Sequence, residues 1–389
     1  MKKKMYRLYR FILVPSLVMM IIMAFGHCSN ERSKETSSET KTVAEAEAWT
    51  AKEILGRKLF FDKSLSSPPG LSCADCHDPS VAFADPLKEL PVSKGAHDGL
   101  YGNRNDMPVS YAAYVPERYY DNEEGVWVGG LFWDGRVNTL TEQAMGPPLN
   151  PLEMANPDTL TIAVKLRSLD YADMFVEVYG PDALSDAGKL FVYMADAIEA
   201  YEKTTEVNPF TSKFDYYLRG EVQLTEQEIR GFTLFVAENK GNCAACHPNI
   251  PMADGTPPLF TDFTYDNLGV PKNPENPFYL LSSDINPDGS DFIDLGLGSV
   301  VNDPVENGKF RVPTLRNVAI TGPYMHNGIF KTLYQVIAFY NTRDVISWGA
   351  SEVNENVNRE ELGNLGLTNQ EIEDLVAFLN TLTDGWTSE

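Results

Sequence analysis

The sequence predicts a mainly α fold of two similar domains packed face to face. Three observations predict it: an amphipathic helical segment closes each half, one cysteine-bearing motif occurs in each half, and strand signals are sparse. The closing segments are residues 190–201, LFVYMADAIEAY, and 371–382, EIEDLVAFLNTL, with apolar residues recurring at helical spacing. Thr368 and Asn369 supply a cap for the second. Leu59-Phe60 ends a helical-looking segment ahead of the first motif, and Leu234-Phe235 ends another ahead of the second, so the halves read as a repeat. Gly, Pro and Asp fill the intervals, as loops require. The join falls between Val207 and Glu221, giving a first domain over 51–206 and a second over 207–389.

The chain has 389 residues, 43% of them hydrophobic, which suits a packed globular protein. Its formal net charge of -23 excludes nucleic acid as a partner, because a polyanion is repelled. A basic protein, such as a small electron carrier, remains compatible. Residues 1–27 read as an export signal: Lys2, Lys3, Lys4, Arg7 and Arg10 precede an apolar run from Phe11 to Phe25 that is short for a membrane span. The run ends at Gly26-His27-Cys28, which suggests a lipoprotein anchored through acyl chains on Cys28; the other reading is a soluble periplasmic protein with an incidental Cys28. A polar linker covers 28–50. The expected location is therefore the periplasm or cell envelope.

Four of the five cysteines form two complete CxxCH motifs, Cys73-Ala-Asp-Cys76-His77 and Cys243-Ala-Ala-Cys246-His247. Two thiols on one turn can form thioether bonds to the two vinyl groups of one haem, and the next histidine then reaches the iron. The competing reading is one zinc held by both pairs. A histidine directly after each pair, an exported chain and the separation of the pairs into different halves oppose it. Two covalent c-type haems are therefore expected, each in a helical domain of cytochrome c outline. Of the remaining histidines, His27 lies in the signal, and spacing alone assigns neither His97 nor His326.

Several further motifs accompany these: Gly102-Asn-Arg104-Asn105-Asp-Met-Pro108, Trp133-Asp-Gly-Arg136, Glu142-Gln143-Ala, Pro147-Pro-Leu-Asn-Pro-Leu-Glu153-Met, Val312-Pro-Thr-Leu-Arg-Asn317 and Pro323-Tyr-Met-His326-Asn-Gly328. Together they resemble the bacterial di-haem cytochrome c peroxidases and MauG proteins, from about Ala51 to Thr383. The resemblance implies two cytochrome c-like haem domains, the N-terminal one peroxidatic and the C-terminal one transferring electrons. The haem on His77 is then the peroxide site, with Glu153 as acid–base carboxylate and Gln143 and Pro147 lining the pocket. Such a group is needed because peroxide loses a proton from one oxygen and gains one on the other as it is cleaved. Trp133 matches the tryptophan between the haems, and Asn105 with the carbonyls of Thr321 and Pro323 matches a calcium site. A homodimer is also implied.

Two implications pull apart. His97 stands at the spacing of the family's switch histidine, which caps the first iron until the second haem is reduced, although the loop from His77 to His97 is longer than usual. Family peroxidases carry a methionine as distal ligand of the second haem where this chain has Tyr340, as MauG-like proteins do; Met325 is the nearby alternative. A thioether favours ferrous iron and a high potential, whereas a phenolate favours the oxidised metal. A reductive switch at His97 wants the former and Tyr340 gives the latter. The expected function is a peroxidase reducing hydrogen peroxide to water with electrons from a cytochrome c or cupredoxin. The alternatives are a MauG-like oxidase acting on aromatic residues of a partner, and a non-catalytic di-haem electron carrier.

Overall fold

In the first half a helix over Ala51–Phe60 crosses the long helix Ala187–Glu202, and in the second Glu226–Val236 crosses Asn369–Asn380. The computed structural model describes residues 49–388. The expected signal peptide, the lipid anchor at Cys28 and nearly all of the linker lie outside them. Three of the four crossing helices begin with reciprocal capping boxes, Thr50 with Glu53, Thr225 with Glu228 and Thr368 with Glu371; the fourth is capped by Asp186. Short helices and 3₁₀ turns fill the rest, and the strands are two small antiparallel pairs, Tyr119–Asp121 with Val126–Val128 and Tyr265–Asp266 with Phe310–Arg311. The fold is mainly α, as predicted.

Each crossing is close because a glycine sits at it. A Cβ added at Gly56 would stand 1.8 Å from the carbonyl oxygen of Ala197, and one at Gly231 would stand 1.9 Å from that of Asp374. The sequence repeat is thus a packing repeat. Around the first crossing Leu55, Leu59, Phe60, Ile198 and Tyr201 form one core; around the second, Phe235, Phe260, Leu375 and Phe378 form another. Gly56→Ala and Gly231→Ala must push backbones apart, and each is expected to cost roughly 2–3 kcal/mol or more. Urea midpoints of the two variants check this, and a midpoint equal to wild type would sink the claim.

The halves meet through buried polar groups. Arg316 (1% exposed) donates to both carboxylate oxygens of Asp215, at 3.0 and 2.8 Å, and lies over the rings of Tyr111 and Phe210. Asp384 accepts from the Tyr111 hydroxyl and the Asn317 amide, at 2.7 and 2.8 Å. Val207 packs in the first core and Phe214 in the second, so the chain passes between cores there. A second tie joins Arg104 to Asp294 (2.6 and 2.8 Å) and to Asp134 (2.6 Å). These charges are paired and hydrogen-bonded, which offsets their desolvation.

Candidate active site

Each motif opens onto a cavity beside its core. Cys73 and Cys76 start and end a one-turn helix, and Cys243 starts a 3₁₀ turn. After each motif the chain returns a carbonyl to the histidine: His77 Nδ1 lies 3.1 Å from Phe83 O, and His247 Nδ1 lies 2.8 Å from Phe260 O. Both phenylalanines adopt positive φ, 59° and 53°, so the two turns are built alike. With Nδ1 donating to the carbonyl, Nε2 keeps the lone pair a metal needs. Burial pulls His247 down to about 4, which keeps its ring neutral.

The first cavity holds His77 together with Gln143, Pro147 and Glu153, the residues expected there. Gln143 comes from the capped helix Leu140–Ala144, and Pro147 from the turn Gly146–Leu149 that follows it. Glu153 is fixed at both ends. Its backbone carbonyl accepts from Ala96 N at 2.7 Å, and Oε1 accepts from Asn150 Nδ2 at 2.8 Å. Burial first, then the charge of Asp106, pushes its carboxyl up to about 7, against the opposing influence of Arg136 and Asn150. A carboxyl so placed can both accept and return a proton near neutral pH.

The second cavity holds His247 with both Tyr340 and Met325. Tyr340 projects from the helix Leu333–Thr342, and burial, then the nearby Cys246 and Cys243, pushes its phenol well above the usual range. Trp133 lines both cavities, and its indole N–H donates to Asn105 O at 2.7 Å. Asn105, Thr321 and Pro323 also line the second cavity. His97 stands apart: it is exposed on a turn closed by Leu100 N to His97 O at 3.1 Å and does not line the first cavity. To reach an iron at His77 that turn must move.

Three features escaped the reading of the sequence. Glu202 is buried at the wall of the first cavity with Oε2 unpartnered, and burial pushes it up to about 8. Its signal was an acid on the core face of an apolar helix. The Ser93 hydroxyl meets Asp85 and also Asp106, the latter at 2.6 Å. Burial raises the Asp106 carboxyl above its usual value. Arg311, between Phe310 and Val312, lines both cavities.

The residues present fit a haem in each cavity. The cysteine pairs line different cavities, which removes the single zinc site. Burial pushes the Cys73 and Cys243 thiols up to about 12. The unpartnered Glu202 oxygen is a further sign of a cavity built around a polar occupant.

A profile of the di-haem cytochrome c peroxidase family matches residues 50–223. The chain is 40% identical to the methylamine utilization protein MauG of Paracoccus denitrificans, covering 85% of this chain and 88% of that one. The chain belongs to the di-haem cytochrome c peroxidase family. Another member, the cytochrome c551 peroxidase of Pseudomonas aeruginosa, is 32% identical over 85% of this chain and 78% of its own. Among solved structures, the diheme peroxidase BthA of Burkholderia thailandensis superposes with a TM-score of 0.75 at 34% identity, covering 88% of each chain. The resemblance read from the motifs is borne out, and with it two haem cofactors, two cytochrome c-like domains and an oxidoreductase. Among the described residues no helix of this di-haem peroxidase is long and apolar enough to cross a membrane.

Proposed function

We propose that the chain reduces hydrogen peroxide to water, taking electrons from a small redox protein such as a cytochrome c or cupredoxin. One observation carries the reading: Glu153, with a carboxyl near 7, shares the cavity of His77 with Gln143 and Pro147. Cys73, Cys76 and His77 would hold a haem, which would supply a redox centre for peroxide cleavage. Glu153 takes a proton from one peroxide oxygen and returns it to the other. Gln143 orients peroxide, and Pro147 narrows the space beside it. His97 is exposed outside the lining of that cavity, which supports a site that meets peroxide without prior reduction.

In this scheme the first domain, 51–206, is peroxidatic, and the second, 207–389, feeds it electrons past Trp133, which touches both cavities. Cys243, Cys246 and His247 hold the second haem, with Tyr340 as distal ligand in preference to Met325. Calcium at the side chain of Asn105 with the carbonyls of Thr321 and Pro323 belongs to the family-based reading, and all three residues line the second cavity. The basic and apolar start of the sequence supports export to the periplasm or cell envelope with Cys28 acylated. Assembly as a homodimer belongs to the same family-based reading.

A second reading, oxidation of aromatic side chains on a partner protein, is favoured by Tyr340 and by the 40% identity to a MauG. The test mixes purified two-haem protein, peroxide and reduced cytochrome c. Rapid oxidation of two donor equivalents per peroxide is expected. Peroxide consumed without donor oxidation would refute the first reading and leave the second.

A further inference from the structure

Arg311 is 5% exposed and lies where the two cavities approach each other, lining both. The strand pair around it fixes that place: Arg311 stands opposite Tyr265, and its N–H donates to Trp133 O at 2.8 Å. Among the neighbouring arginines Arg104 pairs with Asp294 and Asp134, Arg136 with Asp134, and Arg316 with Asp215, while Arg118 donates to Gly135 O at 2.6 Å. Arg311 has no such partner. Among the described residues no carboxylate lies within ion-pair distance of it. Its side-chain contacts are two weak ones with neutral groups, Nε to Phe132 O at 3.4 Å and Nη2 to Met107 Sδ at 3.6 Å, and Nη1 meets no acceptor there. Burial pulls its guanidinium down to about 10, the mark of an uncompensated cation.

A buried guanidinium without a counter-ion is costly, so its surroundings imply an anion that completes the site. A haem brings two carboxylates on its propionate arms, and a guanidinium fork matches a carboxylate bidentately. We propose that Arg311 is the anion clamp of the two haem sites, its free Nη1 edge pairing with a propionate and its charge acting on both irons. The inference rests on two haems filling the cavities and not on the peroxide reading. The same anion chemistry has a second source, a small inorganic anion from solvent.

The expected electrostatics has a definite sign. A cation near a haem favours the reduced metal, so removing it lowers the potential. Wild type, Arg311→Lys and Arg311→Met would be purified as the two-haem protein and titrated spectroelectrochemically across pH. Arg311→Met should shift both potentials negative and introduce a pH dependence where wild type is flat, because a propionate without its cation protonates more readily. Arg311→Lys should restore most of both effects. Unchanged potentials in Arg311→Met with both haems attached would overturn the proposal, as would equal shifts in the two variants, which mean packing alone. Wild-type potentials that follow chloride concentration would assign the clamp to a solvent anion and overturn it too. If Arg311→Met does not accumulate, resonance Raman of Arg311→Lys decides: a shifted propionate bending band supports the clamp and an unshifted one refutes it.

Discussion

Glu153→Gln is expected to lower peroxide turnover by roughly 10²–10⁴-fold while leaving both haems attached. The amide keeps the shape of the side chain and can still meet Asn150, but it cannot take a proton from peroxide. The pH profile gives an independent check. The Glu153 carboxyl is held up to about 7 by burial and by Asp106. Below that pH it is protonated and unable to act as base, so kcat/KM should rise through about pH 7 and level above it. The variant should lose that limb.

Stability supplies the sign that separates a catalytic acid from a structural one. A carboxyl whose folded value is raised binds more protons folded than unfolded, so the stability it contributes falls as pH climbs from about 4.5 to about 7. Glu153→Gln removes that burden and should melt no lower than wild type at pH 8. A structural residue behaves the other way, losing stability with little change in the pH profile. Turnover by the variant within a factor of about 3 of wild type would end the acid–base assignment.

The two CxxCH motifs were legible because thioether chemistry is local: two cysteines and a histidine on one turn carry the geometry in their spacing. The crossing helices were legible for the same reason, since their apolar faces recur every turn. Glu153, Gln143 and Pro147 lie within eleven residues, and the motif they form gathers in one cavity as expected. What could not be read depends on distant partners. Arg311 faces two cavities because a strand pair sets it beside Trp133, nearly 180 residues earlier. Ser93 joins Asp85 to Asp106 across a loop that has no periodicity. His97 shows the limit of spacing in the opposite sense: it stands at a meaningful interval, yet the backbone of its turn carries it to the surface. The close glycines were visible as letters but not as contacts, because each meets a helix more than 100 residues away.

Tyr340→Met is expected to raise the reduction potential of the second haem by roughly a few tenths of a volt. In the protein burial opposes ionisation of the phenol, as does the charge of Asp266, while Arg343 favours it. With Tyr340 as ligand, a ferric iron would bring the positive charge that holds a phenolate, and reduction would take it away, so the wild-type haem is expected to resist reduction. A thioether carries no charge to lose and prefers the ferrous metal, so the variant should be reduced by mild donors and should gain a sulfur–iron charge-transfer band in its ferric spectrum. Met325 makes the test two-sided, since it lines the same cavity and is 9% exposed. If Met325 is the ligand, wild type already shows that band, Tyr340→Met leaves the potential in place, and Met325→Leu abolishes the band. A wild-type band would therefore overturn the Tyr340 assignment and give the second haem the potential a reductive switch at His97 needs.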